Sequence, residues 1–390
     1  MVGTKRDRAD RAAVEQRGSR DSSISSIAFG RRIVLHGGER RGHRPHYNAA
    51  NPFRNSLYEL GHQKYPTTRD GATVTLHPKL RERIDHETGA FPDLTQLPVN
   101  EGRAVVRDME RETDRLAGPP PPLEGVEDHL VPLLSHKLKA RLYFPKGPAS
   151  PRPVLVYLHG GGWVFGDLDT HDSLCREISA RSGVALASVD YRRSPEDKFP
   201  AALEDGYAAM QWLANPETAR RFNFLPGEIA IGGDSAGGNM AAVLSAMTRD
   251  DHGPSLAGQV LICPVAGYYP NTPSYAANGT GFGLDASFIA WMWTQYLATP
   301  KQGHDPRVAP LLASNLSHVA PALVITAEYD LLRDEGELYA ARLQEAGVPT
   351  QMTRYNGMVH GFQDYRGIVP EGWAVIDEVA RTLKRWFKMH

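Results

Sequence analysis

Six residues, Gly233-Asp234-Ser235-Ala236-Gly237-Gly238, constrain this chain more than any other stretch, because they join two segments of different periodicity. Before them Glu228 to Gly232 reads as a strand, and after them Ala236 to Thr248 reads as a helix. A strand that becomes a helix within two or three residues needs a sharp turn. Glycines on either side of the serine remove the Cβ atoms that would collide there. The serine is therefore expected at the carboxyl end of a strand, in a strained turn with its hydroxyl presented outward.

The segments around this unit alternate in the same way. Val154 to Leu158 is a continuous apolar run of the kind that suits a strand buried on both faces. Val184 to Val189, Gln259 to Cys263, Ala322 to Thr326 and Thr350 to Tyr355 read as further strands. Ala201 to Leu213, Glu335 to Ala346 and Trp373 to Phe387 read as helices between or after them. This succession predicts an α/β class with a parallel sheet. Val126 to Leu133 and Leu138 to Phe144 alternate across a polar turn and predict a hairpin. Upstream, Leu80, Ile84, Val105, Val106, Met109 and Leu116 fall at helical spacing over residues 76–122, up to the stop at Gly118-Pro119-Pro120-Pro121-Pro122. Residues 268–300 read as an irregular insertion carrying Phe282, Phe288, Trp291, Trp293 and Tyr296. No internal repeat is visible.

Composition narrows the partners. The net charge of -1, with 41% hydrophobic and 23% charged residues, carries no global bias toward nucleic acid. Residues 1–54 differ, with twelve Arg and Lys against five acids and no regular apolar period. Residues 1–75 are read as a basic, disordered or loosely attached extension, with a nucleic-acid or organelle-targeting tail as the competing reading. No apolar run reaches the roughly 18 to 20 residues of a membrane span, and the N-terminus lacks the apolar centre of a secretory signal, so a cytoplasmic location is expected. Cys175 and Cys263, the two cysteines, are expected as small core fillers on a helix and a buried strand.

A serine hydroxyl attacks a carbonyl only with a positioned base, and that base needs a partner that fixes its tautomer. In a strand-turn-helix setting of this kind the expected chain order is serine, acid, histidine. Asp330 follows the strand Leu323 to Thr326, and His360 lies in the loop Asn356-Gly357-Met358-Val359-His360-Gly361-Phe362 after the next strand. Among fifteen histidines, His304 and His318 precede the acid and His390 is terminal. Glu328 falls within or just beyond the strand, and Asp334 begins a helix that already favours a carboxylate. Ser235, Asp330 and His360 are thus the catalytic candidates. His159-Gly160-Gly161-Gly162-Trp163 directly follows the strand ending at Leu158, and its glycines allow backbone N–H groups to converge on an oxyanion. The expected donors are the amides of Gly160, Gly161 and Ala236, with His159 and Trp163 bracing the loop. A second His-Gly-Gly string at 36–38 has no serine elbow at a sensible distance and is discounted.

At these residues the sequence resembles the hormonesensitive-lipase-like family of α/β-hydrolases, which includes bacterial family IV carboxylesterases. The matching strings are HGGGW at 159–163, DYRRSPE at 190–196 leading into FPAALED at 199–205, GDSAGG at 233–238, EYDLLRDEG at 328–336 and HGF at 360–362. The resemblance implies an α/β-hydrolase fold with a mostly parallel eight-stranded sheet over residues 123–390. It also implies a helical cap drawn from residues 76–122 and 268–300. Further, it implies hydrolysis of short- to medium-chain acyl esters with no metal or cofactor, and it allows a homodimer. Phe282, Phe288 and Trp291 are candidates for the substrate pocket or, equally, for the core of the cap. Arg193, Ser194 and Leu331 depart from the family pattern without removing a reacting group. Two other activities stay open at this point: an amidase or deacetylase using the same triad, and a ligand-binding receptor, which would be expected to lack a triad residue.

Overall fold

The apolar run Arg152–Leu158 becomes a central strand, β3, because both of its faces are covered. Val154, Val156 and Leu158 enter one core with Leu203, Met240 and Leu244. Leu155 and Tyr157 enter the other with Leu174, Ile178, Val375 and Val379. The computed structural model describes residues 75–133, 135–147 and 151–389. The basic extension over residues 1–74 and the His-Gly-Gly string at 36–38 lie outside the described residues.

Around β3 stand β1 (Gly125–Val131), β2 (Leu138–Phe144), β4 (Ala185–Asp190), β5 (Phe224–Asp234), β6 (Leu256–Ile262), β7 (Ala322–Tyr329) and β8 (Thr350–Val359). They form one eight-stranded sheet in the order β1-β2-β4-β3-β5-β6-β7-β8. β2 pairs antiparallel with β1 and β4, and every other pair is parallel. One face carries α4 (Ala201–Ala214), α6 (Ala236–Asp250) and α9 (Arg333–Glu345), through residues such as Met210, Met240 and Leu343. The other carries α3 (Asp172–Ser182) and α10 (Pro370–Trp386), through Ile178, Val379 and Leu383. The remaining helices are α1 (Pro78–Ala90), α2 (Val99–Ala117), α5 (Pro216–Phe222), α7 (Pro273–Asn278) and α8 (Ala286–Tyr296). Among the described residues no helix is long and apolar enough to cross a membrane.

The parallel register aligns the strand ends. Leu158 pairs with Gly233, Gly233 with Leu261, Ile262 with Ile325 and Tyr329 with Val359. The first residue beyond β3, β5, β6, β7 and β8 is therefore His159, Ser235, Cys263, Asp330 and His360 in turn. Chemistry-bearing side chains thus arrive at one edge of the sheet because each directly follows a strand.

The structure corrects several sequence expectations. Residues 268–300, irregular by sequence pattern but implied by the resemblance to form part of a helical cap, contain α7 and α8. The segment Ala286–Tyr296 is apolar and aromatic almost throughout, so no polar stripe marks its period, and burial of Ile289, Met292, Trp293 and Tyr296 holds the helix instead. β5 begins at Phe224, ahead of the expected Glu228, and β8 runs past Tyr355 to Val359. Cys263 stands just beyond β6 with φ 45° rather than within the strand. α5 was not expected; it starts where the Asn215 side chain accepts the Glu217 amide, with Pro216 in the first turn.

Candidate active site

Ser235 occupies the left-handed side of backbone space, at φ 53° and ψ -117°, which costs an ordinary side chain about 1–3 kcal/mol. Surrounding hydrogen bonds hold it there: its N–H donates to Ile262 O at 2.8 Å, and its carbonyl accepts from Asn239 at 2.9 Å. The flanking glycines are required by close approach of β3. A Cβ on Gly237 would lie 1.8 Å from Leu158 O, and one on Gly233 would lie 2.3 Å from the same atom.

Across the sheet edge, His360 Nδ1 and Asp330 Oδ2 are 2.8 Å apart. Asp330 is 1% exposed, and its second oxygen accepts the Leu332 amide at 2.8 Å, so the carboxylate has little freedom to turn away. Burial alone would lower the pKa of His360, but the charge of Asp330 and their hydrogen bond overcome it and leave the imidazole raised above its ordinary value. Leu331, the departure beside the acid, is buried, and its carbonyl accepts from Ser274 Oγ at 2.7 Å, tying α7 to this corner. Ser235 and His360 both line a cavity of about 240 Å³.

The glycine loop differs from expectation in one donor. The Gly160 amide, expected to face an oxyanion, donates to Asp234 Oδ1 at 3.1 Å and lies 3.2 Å from His171 Nε2. Asp234 is held under the loop by the Tyr157 hydroxyl at 2.8 Å and by His171 at 3.4 Å. This correction has a plain cause, since a buried carboxylate must collect donors and Gly160 is the nearest backbone N–H. Among the described residues the amides of Gly161 and Gly162 have no hydrogen-bond acceptor. Ala236, at the first position of α6, presents an N–H that its own helix cannot satisfy. Gly161 has φ 108°, and a Cβ on Gly162 would fall 1.9 Å from Met292 Sδ, so the loop lies tight beneath α8.

His159 and Trp163 sit as braces. The His159 ring stacks on Tyr191 with centroids 4.1 Å apart, and burial, reinforced by the charge on His171, pushes its pKa down to about 3. Trp163 stacks on Tyr296 of α8 at 4.2 Å. Arg193 reaches back to the Gly166 carbonyl and lies 3.9 Å from both Asp167 and Asp190, behind the loop rather than in the cavity. Ser194 Oγ donates to Asp197 O at 3.1 Å.

The cavity walls come from α2, through Val106, Met109, Glu110 and Thr113, and from α8 through Phe288, Ile289, Met292 and Trp293. Of the three aromatic pocket candidates, Phe288 lines the cavity. Phe282 instead stacks on Tyr329 at 5.2 Å beneath the Arg81 guanidinium, and Trp291 packs on Phe165 at 5.7 Å. Residues missed by sequence reasoning include His171, Asp234, Gln363 and Asp364, all in the cavity wall. Asp234 lies inside the serine motif and Asp364 four residues beyond His360, but Glu110 on α2 carries no sequence signal. Among the described residues the one grouping of metal-type donor atoms is Cys263, Asp330 and His360, within 4.8 Å. Its facing carboxylate and imidazole atoms are already engaged with each other, and burial, with the nearby charge of Asp330, pushes the Cys263 thiol well above its ordinary pKa.

A family model for the α/β-hydrolase fold matches residues 155–364. A carboxylic ester hydrolase of Mycobacterium tuberculosis, LipN, is 43% identical over 242 residues, covering 61% of this chain and 64% of that protein, a little under two thirds of its length. An ethyl acetate hydrolase of Pseudomonas putida is 37% identical over 309 residues, covering 76% of this chain and 95% of its own. The hyperthermophilic esterase of the archaeon Pyrobaculum calidifontis superposes with a TM-score of 0.75 at 38% identity, over 80% of this chain and 98% of that one. An α/β-hydrolase from the Lake Arreo metagenome superposes at 0.76 with 35% identity, over 81% and 99%.

Proposed function

This chain belongs to the α/β-hydrolase family, in its hormone-sensitive-lipase-like branch of carboxylic ester hydrolases, and from that membership we propose that it is a serine carboxylesterase in which Ser235, His360 and Asp330 form the catalytic triad. The observation that carries the reading is the placement of these three residues directly after β5, β8 and β7, with His360 and Asp330 2.8 Å apart and His360 facing the same cavity as Ser235.

Ser235 attacks the ester carbonyl while His360 takes its proton, and Asp330 fixes the tautomer and stabilises the imidazolium. The oxyanion rests on the amides of Gly161, Gly162 and Ala236, the N–H groups left without acceptors, while Gly160 is spent on Asp234. His360 then protonates the departing alcohol, and water repeats the sequence on the acyl-enzyme. The helices α2 and α8 act as a cap whose inner faces receive the acyl or alcohol chain. A cavity of about 240 Å³ lies below the roughly 300–1,000 Å³ of drug-sized ligand sites, which favours short- to medium-chain acyl groups. The ethyl acetate hydrolase among the relatives is in keeping with small esters.

The test is hydrolysis of p-nitrophenyl butyrate by the full chain and by Ser235→Ala. The substitution is expected to lower kcat by on the order of 10⁴-fold or more without unfolding the protein. Retention of the original rate by a folded Ser235→Ala protein would refute the assignment.

A further inference from the structure

Beside Ser235 and His360 the same cavity carries a second polar wall, formed by Glu110 of α2 together with His171, Gln363 and Asp364. Charge in this wall does not balance. Glu110 and Asp364 lie within electrostatic reach of each other and of Asp114 and Asp234, and the cations facing this group are His171, Arg366 and, when protonated, His360, which is paired with Asp330. Arg366 donates to Asp114 at 2.5 Å, and His171 stands 3.4 Å from Asp234. Each cation is thereby matched to one acid, and among the described residues no ion pair reaches Glu110 or Asp364. Proton uptake relieves the excess: burial, assisted by neighbouring carboxylates, raises Asp364 to about 7 and holds Glu110 well above the usual range. Glu87, also in the wall, is already engaged by Arg83 at 2.6 Å and by the Tyr365 hydroxyl at 3.0 Å.

A second observation is independent of charge. Gln363 is 1% exposed and donates its Nε2 to Asp364 Oδ2 at 3.1 Å, yet its Oε1 is buried without any hydrogen-bond partner. A buried amide oxygen is rarely left in this state, and Gln363 belongs to the cavity wall. Among the described residues the wall of the cavity therefore holds Glu110 without a hydrogen-bond partner, Asp364 with the Gln363 amide as its donor, and a Gln363 oxygen left unmatched, and no cation of the protein pairs with either carboxyl group. A hydroxyl offers one hydrogen to such a wall. An ammonium offers three and the charge that lets both carboxyl groups ionise.

We propose that Glu110, Asp364 and the Gln363 side-chain oxygen form a recognition subsite for a substrate ammonium group, so that the preferred esters carry a primary amine remote from the scissile bond. This rests on the esterase reading of Ser235 and narrows its substrate class.

The test compares matched esters that differ by ammonium against methyl. On the acyl side, p-nitrophenyl 6-aminohexanoate is set against p-nitrophenyl heptanoate; on the alcohol side, 6-aminohexyl butyrate is set against heptyl butyrate in a pH-stat. In at least one series kcat/KM is expected to favour the amine by about tenfold or more, the fold-change of one charge-assisted hydrogen bond. Glu110→Gln and Asp364→Asn are each expected to bring that ratio toward one, a readout that cancels any general loss of activity. Hydrolysis of the alkyl esters with ratios at or below one in both series would overturn the subsite alone. So would an amine preference unchanged in both variants. Failure to hydrolyse any of the four esters would overturn the esterase reading and the subsite with it.

Discussion

Ser235, Asp330 and His360 each stand directly after a strand, whereas Glu110 reaches the same cavity from α2 and Asp364 from the 3-10 turn Asp364–Gly367 beyond β8. In the first set Asp330 is tied to His360 and to the Leu332 amide, and Ser235 is fixed by its backbone bonds to β6 and α6. In the second, two carboxyl groups have no ion pair among the described residues, Asp364 accepts only from the Gln363 amide, and the Gln363 oxygen has no hydrogen-bond partner. The difference teaches where the fold spends its precision. The proposed reacting groups sit on the rigid sheet edge, where the parallel register sets their spacing, and the groups proposed to sort substrates sit on elements whose sequence can vary without disturbing that register.

Breaking the rigid side should produce the largest effect. Asp330→Asn removes the charge that orients and supports His360, and kcat is expected to fall on the order of 10⁴-fold in a steady-state ester assay with folding intact. Asp234→Asn strikes beneath the glycine loop. It leaves the buried His171 imidazolium without the carboxylate that pairs with it, a loss worth about 3–5 kcal/mol of stability when a buried ion pair is broken, measured as a lower urea midpoint.

Titration sharpens the same contrast. His360 is raised above its ordinary 6.5 and, as the proposed base, would act in its neutral form, so kcat/KM is expected to rise with pH through a pKa above 6.5, and Asp330→Asn should move that pKa down. His171, pulled down by burial but lifted more by Asp234, reaches about 9. A folded pKa above the unfolded 6.5 means that its contribution to stability is complete below pH 6.5 and is lost as pH rises through about 9. Thermal unfolding between pH 6.5 and 9.5 should therefore show Tm falling, and the fall should shrink in Asp234→Asn. The smallest effect is expected at the cap: Arg103 donates to Val164 O at 2.8 Å and pairs with Glu196 at 2.7 Å, so Arg103→Ala should raise KM several-fold with less change in kcat.

The strands at Val154 to Leu158, Glu228 to Gly232 and Ala322 to Thr326 were legible because short, mostly apolar runs broken by His-Gly-Gly, Gly-Asp-Ser or Glu-Tyr-Asp mark both a buried strand and its exit, although the second and third run on to Asp234 and Tyr329. The residues after them followed from that punctuation. Gly160 was misread because the direction of an amide depends on which carboxylate lies beneath it, and nothing in the string HGGGW says that Asp234, in a distant motif, turns its side chain that way. α8 was implied only by the resemblance, because its outer face carries Phe288 and Trp291 as well as polar residues and so blurs the period set by the buried Ile289, Met292, Trp293 and Tyr296. Glu110 and Asp364 are 254 positions apart in sequence and meet only through the packing of α2 over the loop after β8, so no local pattern connects them.

The central claim, that Ser235 is the nucleophile of an ester hydrolase, is tested most directly by covalent trapping. Incubation with a p-nitrophenyl alkylphosphonate should release one equivalent of p-nitrophenol per chain, abolish ester hydrolysis and place the phosphonyl mass on the peptide containing Ser235. A phosphonyl group found on another residue, or full hydrolytic activity after complete modification of Ser235, would contradict it.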